Sequence, residues 1–244
     1  MINEASHFEK KEQPASGRVE IYIVRHGKQE QWSDPNSDLS AEGAKQAEAF
    51  ALEFLQDHLG SDKEAVIKIK RSPVSRAAKT GDVIAATLER EIAARGLQNL
   101  KLLNTRIDED LKTTGSIGPL IKSGVAHDKV VDEWLANADN YENARKPQEI
   151  ADNIAGIIAD ADSLAKKVSP DGPQIIYIMV THETSHAALM NKLTGKSTEE
   201  LGGGIGHLEP MRVMMNHDSQ SHPVLSFRDQ KYDLDLNRLS DASK

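Results

Sequence analysis

The sequence places anion-binding side chains directly after short apolar runs. Arg25 and His26 end the run Ile21-Tyr22-Ile23-Val24, and His182 follows Gln174–Val180. Arg71 and Arg76 lie just beyond Ala65–Lys70. Guanidinium groups match the geometry of phosphate oxygens. Two arginines and two histidines around one point would neutralise the oxygens of a phosphoryl group and stabilise the charge spread in its transfer. A departing alkoxide also needs a proton, so a carboxylic acid belongs nearby. Glu109, within Asp108-Glu109-Asp110, and Glu183, directly after His182, are the candidates. Arg71 has a second reading as a partner for a surface carboxylate.

The elements that must bring these residues together are legible from composition and period. Ile21–Val24 and Gln174–Val180 are short, β-branched and apolar, as buried parallel strands are. Ala65–Lys70 alternates, as a strand with one partly solvated face does, and Leu100–Leu103 reads as a further strand. Met211–Met215 and Val224–Phe227 would complete the sheet. Helices are predicted between the strands. One runs from Ala41 to His58 behind a Ser40 cap, another to about Arg95 with Gly96 after it. A third opens at Pro147 and a fourth runs from Thr184 to Leu193 before Gly195. Alternating strands and helices imply an α/β three-layer sandwich with a mainly parallel sheet. In such a sheet the carboxyl ends of the strands share one edge, and ligands bind outside that edge. Gly27 would let the chain turn sharply at the end of the first strand.

Residues 1–17 read as a polar leader, 18–228 as one domain, and 229–244 as a polar tail. Between about 112 and 145, Gly115, Gly118, Pro119 and Gly124 predict loop, with a short helix over 129–138. An insertion there, over the strand ends, is expected to form a small helical lid.

With those motifs in order, the chain resembles the histidine phosphatase superfamily in its phosphoglycerate-mutase-like branch, from about residue 19 to 216. Arg25-His26-Gly27 is similar to the signature of that family. Leu39–Ala47 is similar to its first helix, Ser72–Thr80 to its second-arginine motif, and Val180-Thr181-His182 to its second-histidine motif. The resemblance implies metal-independent phosphomonoester hydrolysis, with His26 as the nucleophile that becomes a phosphohistidine and no cofactor. Arg25, Arg76 and His182 would bind the phosphoryl oxygens. Glu109 stands where that branch keeps its acid; Glu183 stands where the acid-phosphatase and phytase branch does, and Glu109 is favoured. The same resemblance admits a phosphomutase or a catalytically inactive phosphate-ester-binding module. Gln29 and Trp32 depart from the threonine and asparagine common in the mutase-like loop, and Lys28 is a possible substitute charge.

A net charge of −8 argues against nucleic acid as a partner and leaves a small phosphorylated substrate as the expected one. No apolar run reaches the ~20 residues of a membrane helix. The absence of cysteine excludes disulfides and thiolate metal sites, which fits a cytoplasmic location. Gly202-Gly203-Gly204-Ile205-Gly206 follows no strand and lacks the lysine-serine ending of a phosphate loop, so it reads as a flexible connection. His207, His217 and His222 read as surface residues; Trp32 and Trp134 either line the pocket or pack under the lid.

Overall fold

The computed structural model describes residues 19–31, 34, 36–59, 63–113, 117–125, 129–167, 172–216 and 222–235. The expected leader, Trp32, Gly115, His217 and the end of the tail lie outside them.

The strand Val19–Arg25 (β1) is central because it has no solvated face to offer: all but Arg25 is buried. Its odd residues, Val19, Ile21 and Ile23, enter one core, and Tyr22 and Val24 enter the other. Ala65–Arg71 (β2), Leu100–Leu102 (β3), Arg106–Ile107 (β4) and Gln174–Thr181 (β5) are joined by parallel pairing to one another or to β1. Pro210–Met215 (β6), Val224–Phe227 (β7) and Gln230–Asp233 (β8) extend the sheet antiparallel. The order is β3-β2-β5-β1-β6-β7-β8, with β4 also on β2. Five parallel strands and an antiparallel edge make the expected mainly parallel sheet.

Ala41–His58 (α1) and Ser75–Arg95 (α2) cover one face, packing Phe54, Leu55, Ile84 and Leu88 on Ile67, Ile69, Ile176 and Ile178. Pro147–Ala165 (α5) and Glu183–Thr194 (α6) cover the other, where Ile154, Ile158, Leu189 and Met190 meet Ile21, Ile23 and Met179. Among the described residues no helix is long and apolar enough to cross a membrane.

Two local expectations change, and Trp134 takes one of its two readings. Gly118–Lys122 is a helix (α3) where loop was expected, because Pro119 sits in its first turn, where its missing N–H costs no hydrogen bond. With Val130–Asn137 (α4), it packs Leu120, Val130 and Trp134 onto Ile150, Ala187 and Ala188 of α5 and α6. Trp134 is fully buried and donates from Nε1 to the Arg145 carbonyl at 2.7 Å, so it packs beneath the inserted segment. The tail expected from Asp229 instead begins with β8, whose charged residues pair with β7 at the sheet edge.

Candidate active site

The parallel register sets Arg25 beside Thr181 and Arg71 beside Val180, so the sequence candidates do reach one edge. The backbone closes the arrangement: His26 N–H donates to Thr181 O, and Ser72 N–H to Val180 O, each at 2.9 Å. The His26 and His182 rings lie 5.2 Å apart, edge to face, each only 4% exposed.

His26 is held in one tautomer. Its Nδ1 stands 2.8 Å from the Gly27 carbonyl, which can only accept, so Nδ1 carries the proton. Nε2 keeps its lone pair and accepts from Arg76 Nε at 2.9 Å. Burial, followed by His182 and Arg76, pulls the His26 pKa well below the ordinary histidine value. Desolvation outweighs the neighbouring charges. The His182 pKa is also well below that value, from burial and then Arg76 and Arg25. Burial and Arg25 lower Arg76 itself to about 10, against the opposing pull of Asp34, so it remains a cation at neutral pH.

Ser72 and Thr80 complete the inner layer. Ser72 Oγ is 3.0 Å from His182 Nε2 and accepts from Val74 N–H at 3.4 Å. His182 Nδ1 is buried with no hydrogen-bond partner among the described residues. Thr80 Oγ1 accepts from Gly27 N–H at 3.1 Å and donates to Arg76 O at 2.7 Å, which ties the turn after β1 to the first turn of α2. Gly27 is needed for a close approach: a Cβ there would stand 2.5 Å from the Gly43 carbonyl, so it makes room for α1.

Arg25 is already paired. It lies 3.0 Å from the Glu183 carboxylate and donates to Ile205 O at 2.5 Å. Glu109 shares the edge through its backbone: it opens a 3-10 turn, 109–111, whose Leu111 carbonyl accepts from Thr181 Oγ1 at 3.1 Å. Its side chain is 72% exposed and 3.8 Å from Lys112. Arg71 takes its alternative reading, bonding Ala78 O at 2.8 Å and Asp82 at 2.6 Å. Lys28 pairs with Glu42 at 2.6 Å and does not turn inward.

His207 corrects the expectation of a surface residue. Its Nδ1 donates to His26 O at 2.9 Å and its ring lies 5.8 Å from the His26 ring. Neither spacing nor periodicity signals this contact, because residue 207 approaches through a loop; His222 is exposed as expected.

The family model for the histidine phosphatase superfamily (branch 1) matches residues 21–214. The chain belongs to that superfamily. No curated relative matches this family member in sequence. Its fold is shared with a mycobacterial glucosyl-3-phosphoglycerate phosphatase at 18% identity, covering 81% of this chain and 90% of that one, TM-score 0.54. A protein titled mycobacterial hydrolase 2 is 17% identical over 93% and 97% of the two chains, TM-score 0.57. A phosphoglycerate mutase from Bacillus anthracis is 15% identical over 94% and 99%, TM-score 0.50. Membership of the superfamily supports a phosphatase enzyme.

Proposed function

We propose that this histidine phosphatase hydrolyses phosphomonoesters through a phosphohistidine on Nε2 of His26. One observation carries the reading: the Gly27 carbonyl commits Nδ1 to its proton and leaves Nε2 as a buried, neutral nucleophile. Arg76 donates to that lone pair, and would turn its N–H to a phosphoryl oxygen when one arrives. Ser72 accepts from Val74 N–H, so its hydroxyl proton is free for His182 Nε2. The ring proton of His182 then sits on Nδ1, the buried atom without a partner among the described residues, as a donor for a second phosphoryl oxygen. Arg25 and Arg76 supply the positive field and neutral His182 adds a donor, so the scheme routes no step through a metal or cofactor.

In the first step Nε2 forms a bond to phosphorus as the ester P–O bond breaks, and the leaving oxygen takes a proton from a carboxylic acid. In the second, water attacks phosphorus, the N–P bond breaks, and the same carboxylate takes the water proton. Glu109 is assigned the acid role. Glu183 is occupied by its 3.0 Å contact with Arg25. The small-molecule ester class follows from a phosphoryl site built of protein cations on a chain of net charge −8.

The test is turnover of an aryl phosphate by the wild type and by His26→Ala, with isolation of a phosphorylated His26 peptide after rapid quench. An aryl leaving group needs little protonation, so the assay isolates the nucleophile. Retained turnover in the variant would remove His26 from the role. Phosphoryl transfer to an added alcohol in place of water would favour the mutase reading, and an inert wild type that still binds phosphate would favour the binding module.

A further inference from the structure

The glycine-rich segment 202–206, expected to be a flexible connection, is fastened on both sides. On one side it meets the strand carrying the nucleophile. Arg25 donates to Ile205 O at 2.5 Å, Leu208 N–H donates to Arg25 O at 3.0 Å, and the His207 ring reaches His26 O. On the other side it meets Arg228, in the turn between β7 and β8. Arg228 donates from Nη1 to Leu201 O at 2.5 Å and from Nη2 to Gly204 O at 3.1 Å. Its Nε lies 2.7 Å from Glu209 Oε1, and Glu209 Oε2 in turn accepts from Gly206 N–H at 2.7 Å.

The glycines follow from this packing. A Cβ on Gly202 would stand 2.8 Å from Arg228 Nη1, and one on Gly204 would stand 2.7 Å from Glu183 Oε1. The segment therefore fits between the Arg228 guanidinium and the Glu183–Arg25 pair with backbone alone. Arg228 has a φ of 53° and Leu208 one of 59°, both in the left-handed region that non-glycine residues avoid. Such strain persists only where surrounding bonds over-determine the backbone, and both residues sit at the fastened ends of the segment.

We infer that Arg228 is a positioning residue for the phosphoryl site: by holding Gly204 O and Leu201 O it fixes the Ile205 carbonyl, and through it the Arg25 guanidinium. The inference rests on the proposed role of Arg25 in binding the phosphoryl group. A side chain on the seventh strand's turn thereby sets the affinity of a pocket at the end of the first. A lysine cannot replace it, because one ammonium cannot span two carbonyls and a carboxylate in the fork geometry of guanidinium.

The test is a double-mutant cycle between Arg25→Ala and Arg228→Asn, asparagine being tolerant of left-handed backbone. Binding of inorganic phosphate is measured by calorimetry, and kcat/KM on an aryl phosphate alongside it. Arg228→Asn and Arg228→Lys are each expected to weaken phosphate binding roughly tenfold, as sub-ångström to ångström misplacement of a binding group does. In the Arg25→Ala background the same Arg228 substitution should change phosphate binding by less than about twofold. Unchanged binding in Arg228→Asn, or an equal loss with and without Arg25, overturns the inference. Should Arg228→Asn fail to fold, Glu209→Gln, which loosens the same fork, takes its place in the cycle. Arg25→Ala without effect on phosphate binding would instead overturn the role of Arg25 itself, whatever Arg228 does.

Discussion

Arg25 and Glu183 face each other at 3.0 Å at the carboxyl edge of the sheet, with side-chain exposures of 14% and 22%. The cation expected to meet a phosphoryl oxygen therefore has a resident counter-anion, which an incoming ester must displace or share. Glu183→Gln removes that competitor and keeps the shape. Inorganic phosphate is expected to bind severalfold more tightly to the variant, measured by competitive inhibition. Weaker binding would mean that Glu183 orients Arg25 more than it opposes substrate.

The acid assignment separates by leaving group. Glu109→Gln should lower kcat/KM on an alkyl phosphate by about 10²–10⁴ and leave an aryl phosphate within a few-fold of wild type. Glu183→Gln should not show that contrast between substrates. Parallel progress curves on the two ester classes decide between the carboxylates; a contrast seen only in Glu183→Gln would transfer the role to it.

Both catalytic histidines act as neutral rings in this scheme, and both have pKa values well below the ordinary 6.5. Lowering the pH through 6.5 therefore leaves them unprotonated, and kcat/KM on an aryl phosphate should hold there. The acid limb should appear only further down. An acid limb centred on 6.5 or above would show that the nucleophile is neither buried nor tuned as described.

The same shifts bear on stability. His26, His182 and His186 are all lowered in the folded state, chiefly by burial. The unfolded chain then binds more protons than the folded one between the folded values and 6.5. Stability is full above 6.5 and falls as pH drops through that window. Denaturant midpoints across mildly acidic pH should decline with a slope approaching three protons, and His186→Gln should make the decline shallower. His186 suits the comparison because its ring nitrogens face backbone carbonyls, His182 O and Ile23 O, each at 3.0 Å.

What could be read from the sequence was what local chemistry determines. The apolar runs around Ile21 and Ile176 could only be buried strands, and a parallel sheet brings their ends together, so Arg25, His26 and His182 were predictable neighbours. Ser40 and Gly96 marked helix ends because capping is a local property; Ser40 accepts from Gly43 N–H and Gly96 has a φ of 64°. The non-local contacts were not legible. His207 reaches His26 through a loop, Arg228 through a hairpin, and the partner choice of Arg71 depends on Asp82 one helical stretch later. The glycine-rich segment misled because glycine signals flexibility and close packing alike; only the neighbours distinguish them.

Gly43 offers a prediction that rests on backbone packing. A Cβ there would overlap the Lys28 backbone and would stand 2.6 Å from a Leu39 methyl. Backbone cannot rotate away as a side chain can, so Gly43→Ala must push α1 off the turn at Gly27. A loss of about 1–3 kcal/mol in stability is expected, with a fall in kcat/KM because His26 shares that turn. Chemical denaturation and aryl phosphate turnover on one preparation check both; an unperturbed pair would show that α1 and the turn can separate freely.

The opposite end of the sheet holds a carboxylate with no catalytic use. Glu20 is 1% exposed and is met by Arg212 Nη2 at 2.9 Å, Gln174 Nε2 at 2.8 Å and the Tyr22 hydroxyl at 3.3 Å. Burying such a charge is tolerable only while its partners remain. Arg212→Ala removes the arginine and leaves Glu20 with Gln174, the Tyr22 hydroxyl and His58, whose Nε2 lies 3.7 Å away. Breaking a buried pair costs about 3–5 kcal/mol, and since Arg212 is 37% exposed and other partners remain, a loss of about 2–3 kcal/mol is expected. Activity of the folded variant should be unchanged, since strand β1 separates this cluster from His26. Replacing both partners, Glu20→Gln with Arg212→Ala, should recover part of the loss, because no unpaired charge then stays buried. Urea unfolding of the single and double variants measures both effects, and a double variant less stable than Arg212→Ala would show that the carboxylate itself contributes to the fold.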